Sequence, residues 1–177
     1  MNIKLISILA ILIVTISSCK KIDKLTQFNL TFNETITVPA SSLINLPFNI
    51  ITPDITSNSE TAFEINDTRK DLIQKINLIK MTLSLNSPAT GNFNFLKNIE
   101  LFLNAEDLPE TRVAFKLGMV NENKTQIILE VSEEDIKEYI KKDKFSLRCA
   151  TTTDEALSED YKIDIKYVLF VDAKLIK

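Results

Sequence analysis

The sequence predicts a mainly-β chain, an antiparallel β-sandwich of about seven to nine strands with one short helix near 132–143. Three observations carry that prediction. Apolar and polar residues alternate over 28–38 and again over 161–171, the period of a strand with one buried face. Between these ends lie short apolar runs separated by Asn, Asp, Ser and Pro clusters, the punctuation of a sandwich. Only one segment carries a clear apolar stripe at helical spacing.

In chain order, the even positions Phe28, Leu30, Phe32, Ile36 and Val38 are apolar, and Asn29, Thr31, Asn33, Thr35 and Thr37 lie between them. Glu34 breaks the series. It marks either a turn at Asn33-Glu34, making a hairpin, or an exposed break in one long strand. The segment 43–55 carries Leu43, Ile44, Leu46, Phe48, Ile50, Ile51 and Ile55. Pro47 and Pro53 make 46–51 an edge strand or a loop. So apolar a segment either folds over the sandwich as a lid or presents a docking surface. Residues 61–65 read as a short strand, and 67–74 as a short turn of helix.

In 76–85 the apolar set is Ile76 and Leu78, then Ile79, Met81, Leu83 and Leu85. Parity flips between Leu78 and Ile79, which predicts a β-bulge there. Ile99–Leu103, Val113–Leu117, Ile127–Val131 and Phe145–Cys149 are further strands. Over 132–143, Ser132 is placed to cap a helix, and Glu133, Glu134 and Asp135 suit its positive N-terminus. Ile136, Tyr139 and Ile140 form its apolar stripe, and Lys141 and Lys142 suit its end. In 161–171 the buried face is Tyr161, Ile163, Ile165, Tyr167, Leu169 and Val171. Val168 and Phe170 make the second half apolar on both faces, so it runs deeper.

The chain has no histidine and no tryptophan, and only two glycines, Gly91 and Gly118. That removes histidine-based nucleophile triads and metal sites, and Gly-rich phosphate loops. No catalytic, cofactor-binding or metal-ligating residue is assigned, and no cofactor is expected. A net charge of −3 without a basic block argues against nucleic acid. All three tyrosines point to the core, so a sugar platform would have to draw on phenylalanines. The loop 151–162 gathers Asp154, Glu155, Glu159 and Asp160. Oxygen ligands suit calcium, yet EF-hand spacing is missing, and a solvated acidic loop is the reading preferred. Cys149 shares a strand face with Phe145 and Leu147 and reads as a small core residue, not a reactive thiol. Asn29, Asn33, Asn66 and Asn123 each head an Asn-x-Ser/Thr triplet, which reflects the abundance of Asn and Thr.

The N-terminus supplies an address. Lys4 precedes an apolar run, Leu5 to Ile16, that is shorter than the roughly 20 residues a spanning helix needs. Ser17-Ser18 supply small residues before a cut, as in a secretory signal peptide. Ile16-Ser17-Ser18-Cys19 resembles the lipobox of bacterial lipoproteins. The resemblance implies acylation of the Cys19 thiol, cleavage before it, and acylation of the new amine. Two or more acyl chains anchor stably where one does not. The division is then a signal peptide over 1–18, a lipidated tether over 19–26 and a single β-sandwich domain over 27–177. With Cys19 lipidated, Cys149 has no disulfide partner within the chain. The low-glycine, Asn/Lys/Ile-rich body behind Ser-Ser-Cys-Lys-Lys resembles small lipoproteins of Bacteroidota, flavobacteria especially. Lys20-Lys21-Ile22-Asp23-Lys24 departs from the lysine-then-acidic pattern of their surface-exported members. The resemblance thus implies a body facing the periplasm. Since Lys20, not aspartate, follows Cys19, the retention rule of other Gram-negative bacteria gives no reason to keep it at the inner membrane, so an outer-membrane anchor is expected.

The expected function is a non-enzymatic binding or scaffolding lipoprotein of the cell envelope. Its partners are the membrane, through lipid on Cys19, and another envelope protein or a ligand; oligomeric state stays open. Two alternatives belong to other classes: a carboxylate-based envelope hydrolase, and a calcium-dependent adhesion or carbohydrate-binding module. A concave site holding a carboxylate of raised pKa favours the first. Carboxylates clustered at one loop end favour the second.

Overall fold

A computed structural model describes residues 26–40, 47–56, 59–66, 68–120, 123–153 and 155–174. Residues 1–25, over which the sequence reading puts the signal peptide, Cys19 and most of the tether, lie outside them. The strands are β1 (Gln27–Val38), β2 (Pro47–Ile51), β3 (Ile55–Thr56), β4 (Ile73–Ser87), β5 (Leu96–Asn104), β6 (Thr111–Lys116), β7 (Gln126–Val131), β8 (Lys144–Thr153) and β9 (Tyr161–Ala173). They form one hydrogen-bonded path, β1-β9-β4-β7-β6-β5-β8-β2, with β3 added to β8. Every pairing is antiparallel.

The path folds back on itself at its middle. There β7 and β6 pair only through Ala114↔Val131 and Phe115↔Glu130. One leaf is β1-β9-β4-β7, the other β6-β5-β8-β2, and the whole is a half-barrel closed along the β7–β6 side. Setting β3 aside, this is the strand order of a jelly roll, two Greek keys wound together. Apolar faces of both leaves meet between them. Phe32 of β1 packs edge-on to Phe145 of β8 at 6.3 Å and stacks on Tyr167 of β9 at 5.2 Å. Leu78, Met81 and Leu169 from one leaf and Leu103, Val113 and Leu147 from the other leave a void of only about 10 Å³.

Strand β1 is unbroken. All twelve residues pair in continuous register with β9, and Glu34 sits opposite Ile165. The Asn33-Glu34 turn and the exposed break are both absent: Glu34 is half-buried on the inward face, and burial raises its carboxyl pKa. The deep half of β9 is as expected, with Val168 and Phe170 half-buried between β1 and β4. The bulge in β4 falls where parity flips, since Leu78 pairs with Leu169 and Lys80 with Val168. Ile79 is the extra residue and turns outward, 47% exposed. Segment 46–51 contributes the edge strand β2, and Lys70–Leu72 form a 3-10 turn within 67–74.

Two elements depart from the sequence reading. Residues 61–65 belong to a helix, α1 (Ser59–Ile65), not a strand. A strand would put Phe63 and Ile65 on one face. The helix buries Phe63 fully, edge-on to Phe28 at 6.5 Å, and leaves Ile65 77% exposed. Glu60, Ala62 and Glu64 supply helix propensity, and so short an apolar run carries no decisive period.

The helix expected over 132–143 shrinks to one turn, α2 (Lys137–Ile140). Its apolar stripe survives: Ile136, Tyr139 and Ile140 are buried. Residues 132–136 instead run along the sheet. Ser132 N donates to Val113 O at 2.9 Å, and Ile136 N to Ile76 O at 2.8 Å. Asn77 Nδ2 donates to the carbonyls of Glu133 and Glu134 at 3.0 and 2.9 Å. These bonds occupy groups a helix would need, and tertiary context overrides propensity. Ser132 therefore does not cap α2, and its buried hydroxyl finds no partner among the described residues.

Candidate binding site at the loop end remote from the chain entry

The strand order gives the sandwich two distinct ends. At one, the chain enters β1 and β9 ends: Ala173 N donates to Thr26 O at 3.1 Å and Lys174 N to Leu72 O at 2.8 Å. The β5–β6 and β7–β8 connections close this end, where Tyr139 Oη donates to Pro109 O at 2.5 Å. Across the molecule lie the turns leaving β1, β4, β6 and β8.

That remote end is cross-tied. Ala40 N donates to Asp160 Oδ1 at 2.8 Å. Phe93 N donates to Lys124 O at 2.8 Å and Met119 N to Lys97 O at 2.9 Å. Asn94 and Asn123 bond reciprocally, side-chain amide to side-chain carbonyl at 2.8 Å and backbone N–H to side-chain carbonyl at 3.0 Å. Gly118 N donates to Asn98 Oδ1 at 2.8 Å with φ at +61°, a conformation glycine takes without strain. A chain pinned at so many points projects apolar groups outward: Leu117 is 53% and Val120 70% exposed. Between the β4–β5 and β6–β7 loops is a cleft of about 120 Å³. Phe93, Met119 and Ile127 lie at its base, Leu117 and Val120 at its rim, and Lys116 and Lys124 beside them. Its described lining holds no carboxylate. The described lining is mainly apolar, with two lysines at its side.

A wider, open groove of about 550 Å³ lies at the entry end among Asp54, Asn104, Glu106, Lys142, Asp143, Lys144 and Ser146. Three of its charges pair with neighbours: Lys144 lies 3.8 Å from Asp54, and Lys70 2.9 Å from Asp143. The bond from Lys70 holds the Asp143 carboxyl below its ordinary range. Glu34, whose carboxyl is raised, lines neither concavity.

The segments singled out in the sequence fall elsewhere. Cys149 is buried on the inward face of β8 with Phe145 and Leu147, and burial pushes its thiol up to about 12. Of the acidic triplet, Asp135 reaches the start of α2: its Oδ1 accepts from Lys137 N at 3.1 Å, and from Ile76 N of β4 at 3.0 Å. The loop expected over 151–162 is shorter, because Thr151–Thr153 belong to β8 and Tyr161 to β9. Glu155 and Glu159 are exposed, and Asp160 holds Ala40. Among the described residues no three His, Cys, Asp or Glu side chains converge as metal ligands. In the 43–55 segment, Ile55 and Thr52 are buried, Ile50 is half-buried and Ile51 is 64% exposed; residues 43–46 lie outside the described set.

The outer face of β6-β5-β8-β2 also escaped the sequence reading. Arg148 lies 4.2 Å over the Phe102 ring and grips both oxygens of Glu110. Arg112 lies 4.4 Å over Phe115 and bonds Glu100 at 2.7 Å. The phenylalanines on this face are thus roofed by arginines. Only the register shows Arg148 over Phe102 and Arg112 against Glu100, since those partners come from different strands.

No family model matches the chain, and no curated protein aligns with it significantly. Structural comparison finds Desmodium yellow mottle tymovirus, at 13% identity over 85% of this chain and 90% of that one, with a TM-score of 0.31. Tomato aspermy virus aligns at 12% identity over 83% and 79%, with a TM-score of 0.32. A structure described for promiscuous carbohydrate-binding modules of the β-sandwich superfamily aligns at 9% identity over 84% and 55%, with a TM-score of 0.28. Alignments this loose leave the strand order itself as the ground for the fold.

Proposed function

We propose that this chain is a lipid-anchored lipoprotein of the cell envelope whose jelly-roll body is a non-enzymatic binding or scaffolding domain. Cys19 would carry the lipid, and the body would face the periplasm from the outer membrane. One observation supports a binding role more than any other. The end where the chain enters β1 is the end a tether would hold, and the cleft with exposed Leu117 and Val120 sits at the other, where an envelope partner can reach it. An exposed apolar rim of Leu117 and Val120 suits an apolar segment of a partner.

The test is site-specific photo-cross-linking from position 120 in cells, with and without Leu117→Ser. A discrete adduct lost in the variant, at unchanged protein level, supports the cleft as the docking site. An adduct pattern indifferent to Leu117→Ser removes that role.

A further inference from the structure

The two edges of the sheet path are not alike. At one end, β2 has five residues and begins with Pro47, a residue that cannot donate to a ladder. At the other, β1 has twelve residues in unbroken register with β9, without a proline, lysine, arginine or bulge. Among the described residues no strand pairs with its far side. Natural proteins blunt long edges with those devices, or use them.

We propose that β1 is a homodimer interface, pairing antiparallel with β1 of a second copy so that two four-stranded leaves become one continuous sheet. Which groups face the edge follows from alternation. Ala173 N donates to Thr26 O, so the even residues point their backbone groups to β9 and the odd ones point theirs outward. The strand's pattern is complementary to itself. With Asn33 on the two-fold axis, Thr31 faces Thr35 and Asn29 faces Thr37 on the outer side. Leu30 faces Ile36 and Phe28 faces Val38 on the inner side. Thr–Thr and apolar pairs of this kind stabilise ladders. No like charges stand directly opposite, because Glu34, the strand's one charged residue, faces Phe32. Chains of other sequence would have to reproduce this alternation, whereas a second copy has it by identity.

The test is the mass of the whole chain in detergent micelles across a concentration series, beside Asn33→Lys. Asn33 is exposed and points away from the core, so lysine there leaves the monomer intact and sets two cations together at the axis. The expected result is a dimer whose protein mass halves in Asn33→Lys, with the wild-type Thr31, Asn33 and Thr35 amides exchanging more slowly than in the variant. A wild-type chain that stays monomeric at high micromolar concentration overturns the proposal; so does a dimer that Asn33→Lys leaves whole. If Asn33→Lys lowers thermal stability, Thr31→Pro serves instead: its missing N–H is one β9 does not use, and it must also halve the mass.

Discussion

Asp135 sets its Oδ1 3.0 Å from the backbone nitrogen of Ile76. The same oxygen accepts from Lys137 N at 3.1 Å, and Lys137 Nζ lies 3.3 Å from Oδ2. One carboxylate thus joins β4 to the segment leading into α2.

Burial pushes the Asp135 carboxyl pKa up, but the bonds from Ile76 and Lys137 outweigh it and hold it below the ordinary range. The stabilisation is therefore present above the unfolded Asp value, about 3.9, and is lost as pH falls through the lower folded value. Asp135→Asn is expected to cost about 1–2 kcal/mol at neutral pH, and to flatten the acid limb of a stability-against-pH curve. Urea melts of both proteins across the acid range check this; parallel curves would show that Asp135 takes no part.

Cys149 is expected to react slowly with a thiol reagent in the native protein and quickly in denaturant, because a thiol pushed up to about 12 in a buried site offers little thiolate. The measurement uses the chain with Cys19 replaced by Ser, so that one thiol is read. Fast modification of the folded protein would place Cys149 at the surface.

The Tyr167 hydroxyl is buried and finds no partner among the described residues, while its ring stacks on Phe32. Burying an unpaired hydroxyl is unfavourable. Tyr167→Phe should be neutral or stabilise by up to about 1 kcal/mol in thermal or chemical unfolding. A loss of more than about that would reveal a partner for the oxygen.

Much of the fold was legible because strand parity is strict. The switch from Leu78 to Ile79 announced a bulge, though which residue would be expelled depends on the register with β9. The helix at 59–65 was not legible, since Phe63 and Ile65 alternate as a strand does over so short a run. Residues 132–136 looked helical because caps and charges are local signals, whereas the bonds to Ile76, Asn77 and Val113 are remote. The cleft was hidden for a similar reason. Leu117 and Val120 bracket Gly118 in a loop, and remote ties, to Lys97, Asn98, Asn94 and Phe93 among them, hold that loop where its apolar groups project.

The β4 bulge separates two deletions in one strand. Ile79→Ser should lie within about 0.5 kcal/mol of wild type, as for an ordinary exposed site. Deleting Ile79 removes the extra residue and leaves Leu78, Lys80 and Met81 in regular alternation opposite Leu169, Val168 and Tyr167, so the core set is kept. Deleting Thr82, where the pairing is continuous, instead turns a large core side chain such as Met81 or Leu83 to the wrong face, at a cost of about 2–5 kcal/mol, the range for losing such a side chain. Equal stabilities for the two deletions in a chemical melt would contradict this register.

Incorporation of labelled fatty acid reports whether Cys19 carries the anchor. In bacterial cells that process lipoproteins, the wild-type chain is expected to take up label and to sediment with membranes. Cys19→Ala is expected to take up none, because the only other cysteine, Cys149, is buried in β8. Label that persists in Cys19→Ala, or a wild-type chain that never acquires it, would contradict the lipid-anchored account.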